Sequence, residues 1–196
     1  MSLRQIDFSQ VLNDDQVYDH MMSNYDQLGR DWIVHQWSWM NNVYKAFKDH
    51  YKYLIVISLV EKTLQFYDQM NIQYTFDHFY SKSSLQIEKF SITELCEKLQ
   101  LPKETVRRKV LELENLGVLK RIKKQIIIDR SVFPQVKPER QIKQTSKYVY
   151  LISEIFNKDG IFSKKLETKY IENIIKKNFS LVWRWFYRMQ IPMVIG

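Results

Sequence analysis

Between Asn13 and Tyr80 apolar residues return every three to four positions: Trp32, Val34 or His35, Trp39, Val43, Phe47, then Leu54, Ile57, Val60 or Glu61, and Leu64. This is one face of a 3.6-residue repeat, and no glycine or proline interrupts it except Gly29. The pattern predicts three helices, near 13–27, 30–50 and 52–70. The polar run Ser81-Lys82-Ser83-Ser84 reads as a boundary, and Pro134 and Pro138 as a linker. Beyond them the spacing predicts helices over about 143–157 and 166–189, flanking the turn signal Asp159-Gly160. Three segments follow: residues 1–84, helical and a candidate for dimerisation; residues 85–136; and residues 137–196, helical again.

The middle segment carries the sharpest local signals. Ser91 followed by Glu94 forms an S-x-x-E capping box, which predicts a short helix over 92–99 with Leu95 and Leu99 turned inward. Cys96 falls where two helices cross and reads as packing. Leu101-Pro102 opens a second helix, proline being pre-organised for a first turn. Val106, Val110 and Leu113 form its apolar stripe, while Lys103, Glu104, Arg107 and Arg108 lie at its start on the other side. Gly117 suits the position just past its end. Two β-prone runs, 118–122 and 125–129, then bracket Lys123-Lys124 as a hairpin tip. Helix, turn, helix and hairpin in this order are a winged helix-turn-helix. The expected fold is mainly α: three helices with a small β-hairpin wing, plus flanking N- and C-terminal helices.

Composition agrees. Only 4 Gly and 4 Pro occur among 196 residues, too few for an all-β fold or a glycine-rich phosphate loop. The formal net charge of +8 is unevenly spread: −4 over residues 1–102, +8 over 103–147 and +4 over 148–196. A localised basic zone is what binding to a phosphate backbone requires, because affinity comes from displacing condensed counterions. A single cysteine excludes an internal disulfide and fits a reducing, cytoplasmic setting. No secretory signal is visible at the N-terminus, and the longest apolar run, Tyr53 to Val60, falls far short of the ~20 residues of a membrane span.

The stretch from 90 to 129 resembles the DNA-binding module of bacterial regulators of the cAMP receptor protein type, whose recognition helix carries R-E-T-V-x-R; here Lys103-Glu104-Thr105-Val106-Arg107-Arg108 stands in its place. It is also similar to the T-V-R-R-x-L-x-x-L-E-x-x-G pattern of GntR-type regulators, read from Thr105 through Gly117 with Val110 for the leucine. The resemblance implies a transcription regulator that reads duplex DNA in the major groove. Arg108 would donate to guanine O6 and N7, Glu104 would accept from a cytosine amino group, and Lys103 would add a further base contact. Ser91, Thr105, Arg107, Lys120, Arg121, Lys123 and Lys124 would meet the DNA backbone. Glu104 and Arg108, four apart, would hold each other in register.

Departures from those patterns are visible. Gln100 stands where the turn often has glycine, and Pro102 replaces the usual serine or threonine. No segment resembles a cyclic-nucleotide β-roll. One reading helix discriminates too little alone, so a homodimer is expected, with the aromatic-rich helices around Trp32, Trp37 and Trp39 and around Trp183 and Trp185 as its interface or as core. The histidines at 20, 35, 50 and 78 are scattered, and no metal-ligand spacing, phosphate loop or nucleophile elbow occurs, so neither enzyme, metal nor cofactor is expected. Two other readings stay open: a winged helix that docks a protein, and a plasmid-type replication initiator.

Overall fold

The computed structural model describes residues 13–81, 84–87, 91–122, 125–129 and 138–195. The Lys123-Lys124 wing tip, the extreme N-terminus and the linker around Pro134 lie outside the described residues. The elements in chain order are α1 (Asp14–Ser23), α2 (Tyr25–Phe47), α3 (His50–Gln69), α4 (Phe76–Ser81), β1 (Ser84–Ile87), α5 (Ile92–Leu99), α6 (Lys103–Asn115), β2 (Leu119–Ile122), β3 (Gln125–Asp129), α7 (Glu139–Lys158), α8 (Thr168–Lys177) and α9 (Phe179–Ile195). The chain is mainly α-helical with a small antiparallel wing, as its pattern implies.

Boundaries differ where local chemistry outweighs periodicity. Gly29 breaks nothing: α2 runs through it, and the break falls at Asn24, whose side-chain amide donates to the His20 carbonyl and closes α1. The expected helix over 166–189 is two helices, parted at Asn178, whose side chain likewise donates to the Ile174 carbonyl. Asparagine competes with the helical backbone for its own hydrogen bonds, which the apolar spacing does not register. α4 and β1 are elements that the apolar spacing does not predict. β1 pairs antiparallel with β3, Leu85 opposite Ile128, so the sheet has three strands in the order β1-β3-β2.

The apolar run from Tyr53 to Val60 becomes the centre of the fold. α3 buries Tyr53, Leu54, Ile55, Ile57, Leu59, Val60 and Leu64, covering nearly its whole circumference, as a helix surrounded by protein does. One continuous core joins it to α2 (Trp39, Val43), α5 (Leu95, Leu99), α6 (Val106, Val110, Leu113), the wing (Leu119, Ile126, Ile128) and α9 (Phe179, Trp183, Phe186).

The tryptophans divide between interior and surface. Trp39 stacks on Trp183, with ring centroids 5.6 Å apart, and donates its indole N–H to the Tyr53 hydroxyl at 2.9 Å. Trp183 is fully buried, whereas Trp37 is 77% exposed and Trp185 is 54% exposed. Truncation should separate the two classes. Trp183→Ala is expected to cost about 3–5 kcal/mol in urea unfolding, and Trp37→Ala no more than about 0.5 kcal/mol in dilute protein.

Candidate nucleic-acid interface

The helix-turn-helix is built by short-range chemistry. The Ser91 hydroxyl accepts from the Glu94 amide at 3.3 Å and starts α5. Glu94 does not complete a box, because its carboxylate is taken by Lys62 Nζ at 3.0 Å. Gln100 ends α5 in the left-handed region, at φ 51° and ψ 37°. A side chain there costs about 1 kcal/mol. Pro102 is the residue before α6 rather than its first turn; its extended backbone, φ −57° and ψ 140°, aims the chain, and no side chain caps the helix behind it. At the far end Gly117, at φ 69°, lets the Val118 amide reach back to the Leu113 carbonyl at 3.0 Å and turns the chain into the wing.

α6 is seated by Val106, Val110 and Leu113 and oriented by ions. Lys109 Nζ lies 2.7 Å from Asp49 Oδ2 and 3.1 Å from Glu112 Oε2, and Lys52 Nζ lies 2.9 Å from the same glutamate oxygen. Asp49 meanwhile caps α3 by accepting from the Lys52 amide at 3.1 Å. Burial pushes the Asp49 carboxyl upward, but hydrogen bonds from Lys109 and the Lys52 amide, with the lysine charge, bring it below its ordinary value. Hydrogen bonds from Lys52 and Lys109 lower Glu112 as well, and the bond to Asp49 raises Lys109. Composition counted Lys109 with the basic zone; its partner, sixty residues upstream, carries no local signal.

The opposite side of α6 faces solvent. The Glu104 side chain is 81% exposed and that of Arg108 68%. They do not hold each other: Glu104 pairs with Arg107 Nη1 at 2.8 Å, and Arg108 Nε approaches Glu112 Oε1 at 3.8 Å. The i, i+3 partner wins for Glu104, and Glu112 draws Arg108 the other way along the helix. Both are surface pairs, worth little and easily exchanged. Lys103 is exposed, Thr105 and Ser91 are half-buried, and no ion pair among the described residues holds Lys103 or Lys120.

The wing residues have different settings. Arg121 shares the core-facing side of the sheet with Leu119, and its guanidinium grips Glu114 through two bonds, Nε to Oε1 at 2.6 Å and Nη2 to Oε2 at 2.5 Å. That carboxylate raises the Arg121 pKa further. Lys120 lies on the other face of β2, exposed. Cys96 is half-buried against the core, in a packing position. Among the described residues no group of His, Cys, Asp and Glu is placed to hold a metal, and no helix is long and apolar enough to cross a membrane.

These parts are a winged helix-turn-helix, the class of domain that carries a reading helix and a β wing on one face. Residues 85–129 match the DeoR-like helix-turn-helix domain family. That match replaces the specific likeness to cAMP-receptor and GntR regulators, with which the stretch shares general architecture. No curated protein and no solved structure matches the chain. A DeoR-like domain is typical of DNA-binding transcriptional regulators, and such domains are regulatory rather than catalytic.

Two consequences are measurable. Gln100→Gly should stabilise the chain by up to about 1 kcal/mol, reduced by the flexibility glycine adds to the unfolded chain, read as a higher urea midpoint. Asp49 and Glu112 ionise more readily folded than unfolded, so their stabilisation is complete above the ordinary carboxylate values of 3.8 and 4.5 and is lost as pH falls through the lower folded ones. Unfolding free energy measured against pH should therefore drop more steeply below about pH 4.5 than in Lys109→Met, which lacks the cation that lowers both.

Proposed function

We propose that the protein is a sequence-specific regulator of transcription that reads the major groove of duplex DNA with α6. One observation carries the reading: α6 is fixed from behind by Asp49, Lys52 and its own apolar stripe, while Lys103, Glu104 and Arg108 project from its first two turns into solvent. A rigidly held helix with a free charged start is what groove insertion needs. In this reading Arg108 addresses guanine O6 and N7, Glu104 a cytosine amino group and Lys103 a second base, once the weak surface pairs open. Ser91, Thr105, Arg107, Lys120, Lys123 and Lys124 meet the backbone. Arg121 joins them only by leaving Glu114, so it ranks below Lys120. No side chain caps α6, and its first amides are available to a phosphate.

The reading also includes a homodimer, since one helix spans only about four base pairs. Support comes from the outer face of α2, where Ile33, Val34, Trp37 and Tyr44 stand exposed. A second copy would cover them, and two reading helices would face a symmetric site.

Selection from a random pool of DNA duplexes tests the whole reading. The expected product is an inverted repeat bound by two copies. Arg108→Ala should then lose about 1–3 kcal/mol on the selected site and relax preference at one base pair per half-site. A pool that returns no preferred sequence, or an unchanged preference in the variant, would defeat it.

A further inference from the structure

A groove of about 470 Å³ runs between α1 and α2 on one side and α7 and α9 on the other. Its walls include Trp32, Tyr148, Val149, Ile152, Trp185 and Met189, and none of its lining residues carries a charge at neutral pH. The aromatic walls are held in place. Trp32 stacks on the buried His35 at 5.4 Å with the rings 4° apart, and leans on Tyr148 at 5.4 Å. His35 Nε2 is in turn bonded to Thr145 Oγ1 at 3.0 Å, which ties α2 to α7 at the groove. At the rim the Tyr25 ring lies so close over Gly29 that a methyl group there would meet it at 3.2 Å. Among the described residues none closes the groove over: Tyr18, Met22, Tyr25 and Trp185 are all exposed.

We propose that this groove binds an uncharged, flat aromatic small molecule. Its volume lies within the ~300–1,000 Å³ range of small-molecule sites, and its lining is the usual apolar and aromatic kind. A charged ligand would leave water and find no counter-charge. A peptide segment would bring backbone N–H and C=O groups to walls whose accessible surface is almost wholly apolar. A flat neutral ring system has neither handicap. It would stack between fixed aromatic faces, and the methionines Met21, Met22 and Met189 would adapt to its outline. The inference does not depend on DNA reading, because nothing in it uses α6.

Titrating the full chain with the neutral fluorophore N-phenyl-1-naphthylamine tests it. The expected result is saturable binding of one dye per chain, with quenching of tryptophan emission. Trp185→Ala, which removes an exposed wall, should weaken binding at least fivefold. Val149→Trp, which fills the groove, should abolish it. Circular dichroism reports whether either variant stays folded, and Trp185→Ala, altering a surface residue, keeps the test valid if Val149→Trp does not fold. Absence of saturable binding to the parent chain, or unchanged binding in a folded variant, overturns the proposal. So does dye displacement that tracks self-association in sedimentation velocity, which would assign the groove to a second copy.

Discussion

Asp49 serves two helices at once. One carboxylate oxygen closes the first turn of α3 by accepting from the Lys52 amide, and the other receives Lys109 from α6. Lys52 reaches across in turn to Glu112, so four charges of alternating sign bridge the start of α3 and the middle of α6. Asp49 and Lys109 are largely shielded from water, and a shielded pair holds geometry better than an exposed one, where solvent and salt compete. Because α3 is enclosed by the rest of the core, this bridge aligns α6 with the whole molecule. The direction in which Glu104 and Arg108 project follows from that alignment.

The same geometry sorts a basic segment that composition treats as uniform. Lys109 is structural. Arg121 is committed to Glu114, an arrangement that straps the wing to the end of α6. Arg107 is loosely held by Glu104. Lys103, Arg108 and Lys120 remain open to solvent, on the start of α6 and the outer face of β2. Lys103 and Lys120 can neutralise a phosphate without first surrendering a partner and Arg108 gives up only its 3.8 Å contact with Glu112, so net charge overstates the useful surface.

The aromatic residues tell a parallel story about α2. Its inner face, with Leu28, His35, Trp39 and Val43, packs inward, while Ile33, Val34, Trp37 and Tyr44 look outward. A helix apolar on opposite faces is suited to lie between its own body and something further, since a cluster of exposed apolar side chains is costly in water. The groove beside Trp32 lies elsewhere on the same helix, lined by Tyr25, Leu28, Gly29 and Trp32 and by none of those outward residues. The proposed second copy and the proposed aromatic ligand thus address different residues of α2.

What could be read along the chain, and what could not, divides by range. The serine that starts α5, the turn at Gln100, the valine–leucine stripe of α6, the glycine at 117 and the two wing strands each depend on residues within a turn or two, so the winged helix-turn-helix was legible from residues 90–129 alone. β1 was not, because four residues acquire strand character only by pairing with a segment some forty positions later. Nor was the pairing of Glu104 with Arg107, a choice among several partners within reach, or the seat of Lys109 on Asp49. Of five tryptophans at similar helical spacing, only packing decided that Trp39 and Trp183 go inside while Trp37 and Trp185 stay out. Local backbone chemistry is written in neighbouring residues, whereas the partner of a side chain is set by which distant surfaces the core brings together.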